Sequence, residues 1–459
     1  MCNFRIKELT VTNYRKFEQE TFPLNPTMNV FAGKNGSGKT AALEAAAVMM
    51  GAYLSAYKTY VPSQYVFNLS GDSENGDAHK KVLTSQQEDV LTAGGVAQYP
   101  CKVSCTAIWG EESNEISFQR IIEKEGSRTK FSGKNPMQPK VVEWEKTIEK
   151  ADHSDSELIL PLVLYLSSAR LWNENNSTKK VRLYNRTEAF SYCLEKKHGA
   201  ELAFGYVKRL KDVAEEERRK NNFPAYDTIL NAVNEAFSDE LSAEERVIFS
   251  TRYERDIVAL QMKDGTVVPF SSLSDGYRNV IKIIVDIAAR MCILNPYQKE
   301  NALKNTPGIV VIDEIDLSLH PTWQRKIIGI LKELFPKIQF ICATHSPFII
   351  QSLEKGELIT LDHQPLDSKY SGESIEDIAE DVMGVEMVQY SIKKRKMYEA
   401  AQNYLKALEQ AESQEDLDAL RNEMNRLEAV YSENPAYLAL IEQENLVKEQ
   451  EVKDNEAGK

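Results

Sequence analysis

Long apolar runs are missing from this 459-residue chain. The longest, Leu158 to Leu166, has nine residues and includes Pro161, about half of what a helix needs to cross a bilayer, so no membrane span is expected. The start, Met1-Cys2-Asn3-Phe4-Arg5-Ile6-Lys7, lacks the apolar core of a secretory signal, which points to the cytoplasm. Cysteine is scarce and scattered: Cys2, Cys101, Cys105, Cys193, Cys292 and Cys342 contain no second pair to match Cys101 and Cys105. Neither a structural disulfide nor a zinc site is expected from them. His79, His153, His198 and His363 form no metal-ligand spacing either. Positive charge is in deficit, with 56 Lys+Arg against 69 Asp+Glu and a net charge of −13. This excludes a chain that coats nucleic acid by bulk electrostatics, though not one with a local basic groove. What remains, 42% hydrophobic and 27% charged residues, is the composition of an ordinary globular chain long enough for two to four lobes.

Residues 4–11 and 28–32 read as strands, and Thr40 to Leu54, rich in Ala, Leu and Met, as a helix. Residues 68–98, full of Ser, Asp, Gly and Gln, read as a surface loop. β-rich runs return at Lys102 to Glu123 and Leu158 to Leu166. Helical spacing covers Arg186 to Asn234, and Ser242-Ala243-Glu244-Glu245 has the form of a capping box, which predicts a further helix start. After Pro269 come a helix from Asp275 to Leu294, a strand from Gly308 to Ile312, a helix from Pro321 to Leu334 and a strand from Ile338 to Ala343. From Ser374 onward the chain is helix-forming, with apolar stripes such as Leu417, Leu420, Met424 and Leu427 but no sustained heptads.

Gly33-Lys34-Asn35-Gly36-Ser37-Gly38-Lys39-Thr40 matches the phosphate-loop pattern G-x-x-x-x-G-K-[ST] between an expected strand and helix. Glycines let backbone N–H groups close around phosphate oxygens, Lys39 brings a cation to the β and γ phosphates, and Thr40 offers a hydroxyl to Mg²⁺. ATP and Mg²⁺ are the ligands this implies. A second element, Gly308-Ile309-Val310-Val311-Ile312-Asp313-Glu314, is an apolar strand ending in two carboxylates. Taken alone these could be the acidic first turn of a helix. Beside a phosphate loop, Asp313 joins the metal shell and Glu314 polarises the attacking water.

Leu273-Ser274-Asp275-Gly276 needs no function to cap a helix. Placed ahead of the acidic strand, it resembles the signature motif of ABC-type ATPases of the chromosome-maintenance and DNA-repair branch. In that family the signature of one protomer, here Ser274, Asp275 and Gly276, closes on the nucleotide of the other. The signature's last residues depart from the commoner Gly-Gly-Gln form, which leaves Tyr277 and Arg278 without roles. Ile315 to Pro321 resembles the loop after the acidic strand, with His320 read as structural. Ala343-Thr344-His345-Ser346-Pro347 resembles the switch segment in which the histidine, His345, contacts the γ-phosphate. The glutamine of the metal shell is left open among Gln64, Gln86, Gln87 and Gln98, and Arg15 is a candidate near the nucleotide.

From Phe4 to about Glu386 the chain resembles the PtuA-like ATPase subunits of Septu anti-phage defence systems. The resemblance is carried by Asn13-Tyr14-Arg15-Lys16-Phe17, Leu164-Tyr165, Ser168-Ala169-Arg170, Leu319-His320-Pro321-Thr322-Trp323-Gln324, Thr344 to Pro347 and Ser374 to Ile378. It implies a homodimer through shared ATP sites and an HNH-type nuclease partner. It also implies, in some systems, a retron with its RNA–DNA product. The expected fold is α/β: an ABC-type P-loop ATPase head with an inserted helical lobe and a helical C-terminal tail. Its parts are 1–185 and 251–387 for the head, 186–250 for the lobe, and 388–459 for a tail that serves oligomer or partner docking. A DNA-end-binding repair ATPase without a nuclease is the alternative, and a transporter subunit fits less well with the length and tail.

Overall fold

The computed structural model describes residues 3–57, 87–110, 114–127, 129–150, 158–171, 186–195, 203–210, 225–239, 241, 245–249, 258–361, 370–385, 392–410, 420, 443–447 and 450. Gln64, Gln86 and Ser242 to Glu244 lie outside the described residues. The chain divides into two compact units, Met1–Ile378 and Ala379–Lys459.

The first unit is built around five parallel strands, β3 (Met28–Ala32), β9 (Leu162–Leu166), β13 (Gly308–Ile312), β14 (Ile338–Ala343) and β15 (Leu358–Thr360), in the order β15-β3-β14-β13-β9. All but β15 are buried along their whole length. Apolar strands of this kind, interrupted only by the buried Asn29 and Gln339, fit a sheet covered on both faces. Register places Val310 between Phe340 and Leu164. Gly308 lets β13 lie against β9, because a Cβ there would be 2.0 Å from the Leu162 carbonyl oxygen.

A second, antiparallel sheet runs in the order β2-β1-β6-β7-β8: β1 (Asn3–Tyr14), β2 (Phe17–Pro23), β6 (Cys101–Gly110), β7 (Asn114–Ile122) and β8 (Lys130–Phe131). Between them in sequence is a small hairpin of β4 (Thr92–Ala93) and β5 (Val96–Ala97). In β1 the inward set changes from Phe4 and Ile6 to Leu9 and Val11 where the register shifts between Ile6 and Glu8. One extra residue flips every later side chain to the other face, and the bulge absorbs it. Buried Gln339 of β14 joins the two sheets: its Oε1 accepts from Ile6 N at 2.8 Å and its Nε2 donates to the Ile6 carbonyl at 2.7 Å.

Helix α1 (Lys39–Ala56) packs on both sheets and is buried nearly all round, as its uniformly apolar sequence requires. Next come α2 (Gln138–Lys150), α3 (203–210) and α4 (Ala225–Ala236). After them are α5 (Asp275–Leu294), the short α6 (Ala302–Asn305), α7 (Pro321–Leu334) and α8 (Pro347–Gln351). On α7 the stripe Trp323, Ile327, Ile328, Leu331 and Leu334 is buried. In α5, Arg290 and Asp286 pair at 2.8 Å with both side chains only 2% exposed, and Arg290 also donates to the carbonyls of Ala189 and Ser191. That bond set fixes the helix to the 3₁₀ turn Arg186–Phe190.

One expectation gives way. The capping-box pattern at 242–245 predicts a helix start, but the residues that follow form β10 (Arg246–Phe249), paired antiparallel with β11 (Val258–Gln261), which pairs in turn with β12 (Val267–Pro269). The β-branched and aromatic run Val247-Ile248-Phe249 finds cross-strand partners in Leu260, Ala259 and Val258, and long-range pairing outweighs a local cap signal. The boundary between the units falls inside α9 (Ile375–Asp381), which is followed by Gly384 at φ 64°, and the second unit contains α10 (Ile392–Gln410), which buries Tyr404 and Leu408. Among the described residues no helix is long and apolar enough to cross a membrane.

Candidate nucleotide-binding site

The parallel strands deliver their C-terminal ends to one edge of the sheet, where α/β folds place ligands. From β3 the chain turns through Gly33 to Gly38 and enters α1. Gly38 caps the helix at φ 102°, a conformation that costs a side-chain-bearing residue. Lys39, only 6% exposed, donates through Nζ to the carbonyls of Gly33 at 2.8 Å and Lys34 at 3.0 Å. Ser37 Oγ is buried within this loop without a hydrogen-bond partner. A buried polar atom of that kind fits a site that takes up an oxygen-rich ligand.

From β13 the chain passes into Asp313 and Glu314. Thr40 Oγ1 faces the Asp313 carboxylate at 3.3 and 3.4 Å, although 273 positions separate the two residues. Hydroxyl and carboxylate oxygens are the donors Mg²⁺ takes. The residues present therefore fit the ion as a hydroxyl and carboxylate pair; among the described residues no group of three or more His, Cys, Asp or Glu that could hold a metal forms here or elsewhere. Glu314 has φ 47° and Ser318 φ 60°, so the loop between β13 and α7 is bent at both ends by residues in the left-handed region. From β14 comes His345, half-buried. Burial and the Lys39 cation hold its imidazole below the usual histidine range, while Asp316 and Glu314 pull the other way.

Ser274, Asp275 and Gly276 lie at the start of α5. Ser274 caps α5 by accepting from Tyr277 N at 3.5 Å, and Asp275 pairs with Arg278 in the same turn. Gly276 touches the loop after Glu314, where a Cβ would lie 2.8 Å from the Ser318 carbonyl oxygen, and Asn279 Nδ2 donates to the Leu317 carbonyl at 2.8 Å. Tyr277, without a role in the sequence reading, stacks on Phe237 at 5.3 Å beside Trp323.

The turn between β1 and β2 reaches the phosphate loop with a different residue from the one expected. Arg15 is tied down by Glu44 and by Asp89 at 2.8 Å, whereas Lys16 Nζ donates to the Gly36 carbonyl at 3.2 Å and Phe17 closes over Gly38. Only the turn's proximity was legible; which side chain faces the loop is set by a backbone with Asn13 and Arg15 both at positive φ. His320 caps α7 by accepting from Thr322 N at 3.3 Å, a structural duty. Of the candidate glutamines, Gln98 turns back on the Val96 carbonyl at 2.9 Å, and Gln87 opens a 3₁₀ turn.

Parts of this chain are similar in sequence to known proteins. A "Retron Vc95 probable ATPase" of Vibrio cholerae serotype O1 biovar El Tor is 33% identical over 174 residues, 37% of this chain and 32% of that protein. A "Septu protein PtuA" of Bacillus mycoides (strain KBAB4) is 36% identical over 137 residues, 29% of this chain and 18% of that protein. The matched stretches thus span about a third of the first relative's length and less of the second's. The SMC head domain from Thermotoga maritima is 15% identical, with 77% of this chain and 93% of that one covered and a TM-score of 0.37. These names bear out the resemblance to PtuA-like ATPases read from the motifs. The match to a family model extends over residues 28–351, most of the first unit, and the chain belongs to the family described as "AAA domain, putative AbiEii toxin, Type IV TA system".

Proposed function

We propose that this chain binds and hydrolyses Mg²⁺–ATP in a homodimer with shared sites and thereby controls an HNH-type nuclease in anti-phage defence. The observation that carries the nucleotide reading is Thr40 meeting Asp313 at 3.3 Å across 273 positions, at the mouth of a phosphate loop. Backbone N–H groups from Gly33 to Gly38 cradle phosphate oxygens, and Lys39 leaves its loop carbonyls for the β and γ phosphates. Thr40 and Asp313 hold Mg²⁺, which neutralises phosphate charge when bound. Glu314 orients and polarises the attacking water, and His345 sits against the γ-phosphate. Ser274, Asp275 and Gly276 act on the partner's nucleotide from the start of α5.

The nuclease is the further step. A regulator must touch what it regulates, and the motif-bearing edge is committed to nucleotide and dimerisation. The tail carries exposed Leu446 (66%) and Val447 (50%) in a helical stretch, an apolar spot that a partner would cover. DNA or a retron RNA–DNA product is a further candidate ligand of the assembly. Calorimetry should show Mg²⁺-dependent ATP binding that Lys39→Ala abolishes, and a chain truncated after Tyr390 should keep that binding yet no longer co-purify with a co-expressed HNH nuclease. Equal ATP affinity in Lys39→Ala would refute the nucleotide site; full co-purification of the truncated chain would move docking off the tail.

A further inference from the structure

Two residues after Glu314, the carboxylate of Asp316 collects hydrogen bonds from the segment that carries the switch histidine. Asp316 Oδ1 accepts from Thr344 Oγ1 at 2.6 Å and from the backbone N–H of His345 at 3.3 Å. Thr344 Oγ1 in turn accepts from Ser346 N at 3.0 Å. The strand ends are already stitched without these contacts, since Ile315 N donates to the Ala343 carbonyl at 3.0 Å and Thr344 N to the Phe31 carbonyl at 3.1 Å. The carboxylate therefore adds nothing that β14 needs in order to stay in the sheet. What it adds is a fixed path for residues 344–346 after the strand has ended.

A carboxylate taken partly out of water loses hydration and needs donors in return. Charge-assisted bonds to such an oxygen are about twice as strong as neutral ones. Here the acceptor belongs to the same short loop as Glu314, so the residue that handles water and the residue that meets the γ-phosphate are referenced to one backbone segment. Gln324 makes a second link of the same kind: its Nε2 donates to the Leu319 carbonyl at 2.8 Å and its Oε1 accepts from Ser346 Oγ at 2.6 Å. The electrostatics agree, since Asp316 and Glu314 both act on the His345 imidazole.

We infer that Asp316 is a positioning residue for hydrolysis, holding the 344–346 backbone so that His345 is aimed relative to Glu314. This rests on the ATPase reading above. A misplacement on the ångström scale is costly in rate and cheap in ground-state binding, so the signature is a split between the two.

Steady-state hydrolysis and ATP calorimetry on wild type, Asp316→Ala, Asp316→Asn and Thr344→Val provide the test. In Asp316→Ala, kcat should fall roughly tenfold or more while ATP affinity stays within about twofold. Asp316→Asn keeps an oxygen acceptor for Thr344 and should recover to within roughly threefold of wild type. Thr344→Val should behave like Asp316→Ala, and the double variant should be no worse than the poorer single, because the two act as one unit. Wild-type turnover in Asp316→Ala overturns the inference, as does an Asn variant as slow as Ala, or a loss of affinity equal to the loss of rate. Should Asp316→Ala fail to fold, the Asn and Thr344→Val pair decides alone. Wild-type protein that binds ATP without turning it over would instead refute the ATPase reading, and this inference with it.

Discussion

At the scale of single residues, Lys39 and Thr40 stand at the start of α1, where Lys39 meets the Gly33 and Lys34 carbonyls and Thr40 faces Asp313. Gly33 to Thr40 is contiguous, so the pattern can be read from eight letters. Asp316 and Lys16 matter through contacts that only the folded backbone creates. His345 offers a test through pH. Burial and Lys39 depress its folded-state pKa below the ordinary value of about 6.5. On acidification the unfolded chain therefore takes up the proton first, and folded-state stability is lost as pH falls through about 6.5, until the folded imidazole is protonated too. Denaturant unfolding of wild type and His345→Gln at pH 7.5 and 5.5 should show wild type losing more stability than the variant. Parallel losses would mean that this imidazole is not depressed.

At the scale of elements, β9 and β13 were legible as unbroken apolar runs, and β3 and β14 as apolar runs interrupted once each, by Asn29 and Gln339. Helices α1, α5 and α7 were legible from composition and spacing. β2 was not: Phe17-Glu18-Gln19-Glu20-Thr21-Phe22-Pro23 is an edge strand, and a polar, proline-ended sequence is what keeps such an edge from pairing with other chains. β10 was hidden behind a cap signal that long-range pairing overrode. In the candidate site, the phosphate loop and the acidic pair were visible from spacing, but the Arg15 and Lys16 roles depend on φ angles that no spacing encodes. The tight contact between β13 and β9 gives the element-scale prediction. Gly308→Ala would drive a Cβ into the Leu162 carbonyl at 2.0 Å, and backbone cannot swing aside as a side chain can. The expected cost is about 3 kcal/mol or more, read as a lowered melting temperature or as insolubility. A melting temperature within about 2 °C of wild type would show that the strands separate freely.

At the scale of the whole molecule, the signature turn is coupled to its own acidic loop through Gly276 and Asn279, while the proposal assigns its chemistry to a second copy. Mixing Lys39→Ala with Ser274→Arg protein should restore hydrolysis above either variant alone, because mixed dimers retain one intact composite site. No recovery, with mixed dimers demonstrated, would refute shared sites. The sheet order also carries a consequence for biosynthesis. β3 is complete by Ala32, yet both of its neighbours, β14 and β15, come after Pro336. At roughly 5–20 residues per second, translation leaves the strand that leads into the phosphate loop without either partner for about 15–65 s. During that interval the nascent chain holds a buried-type strand with both edges open. Any truncation, frameshift or stalled ribosome before Ala343 therefore yields a product whose phosphate loop hangs from an unpaired strand, a substrate for chaperones and proteases rather than a weakened nucleotide binder.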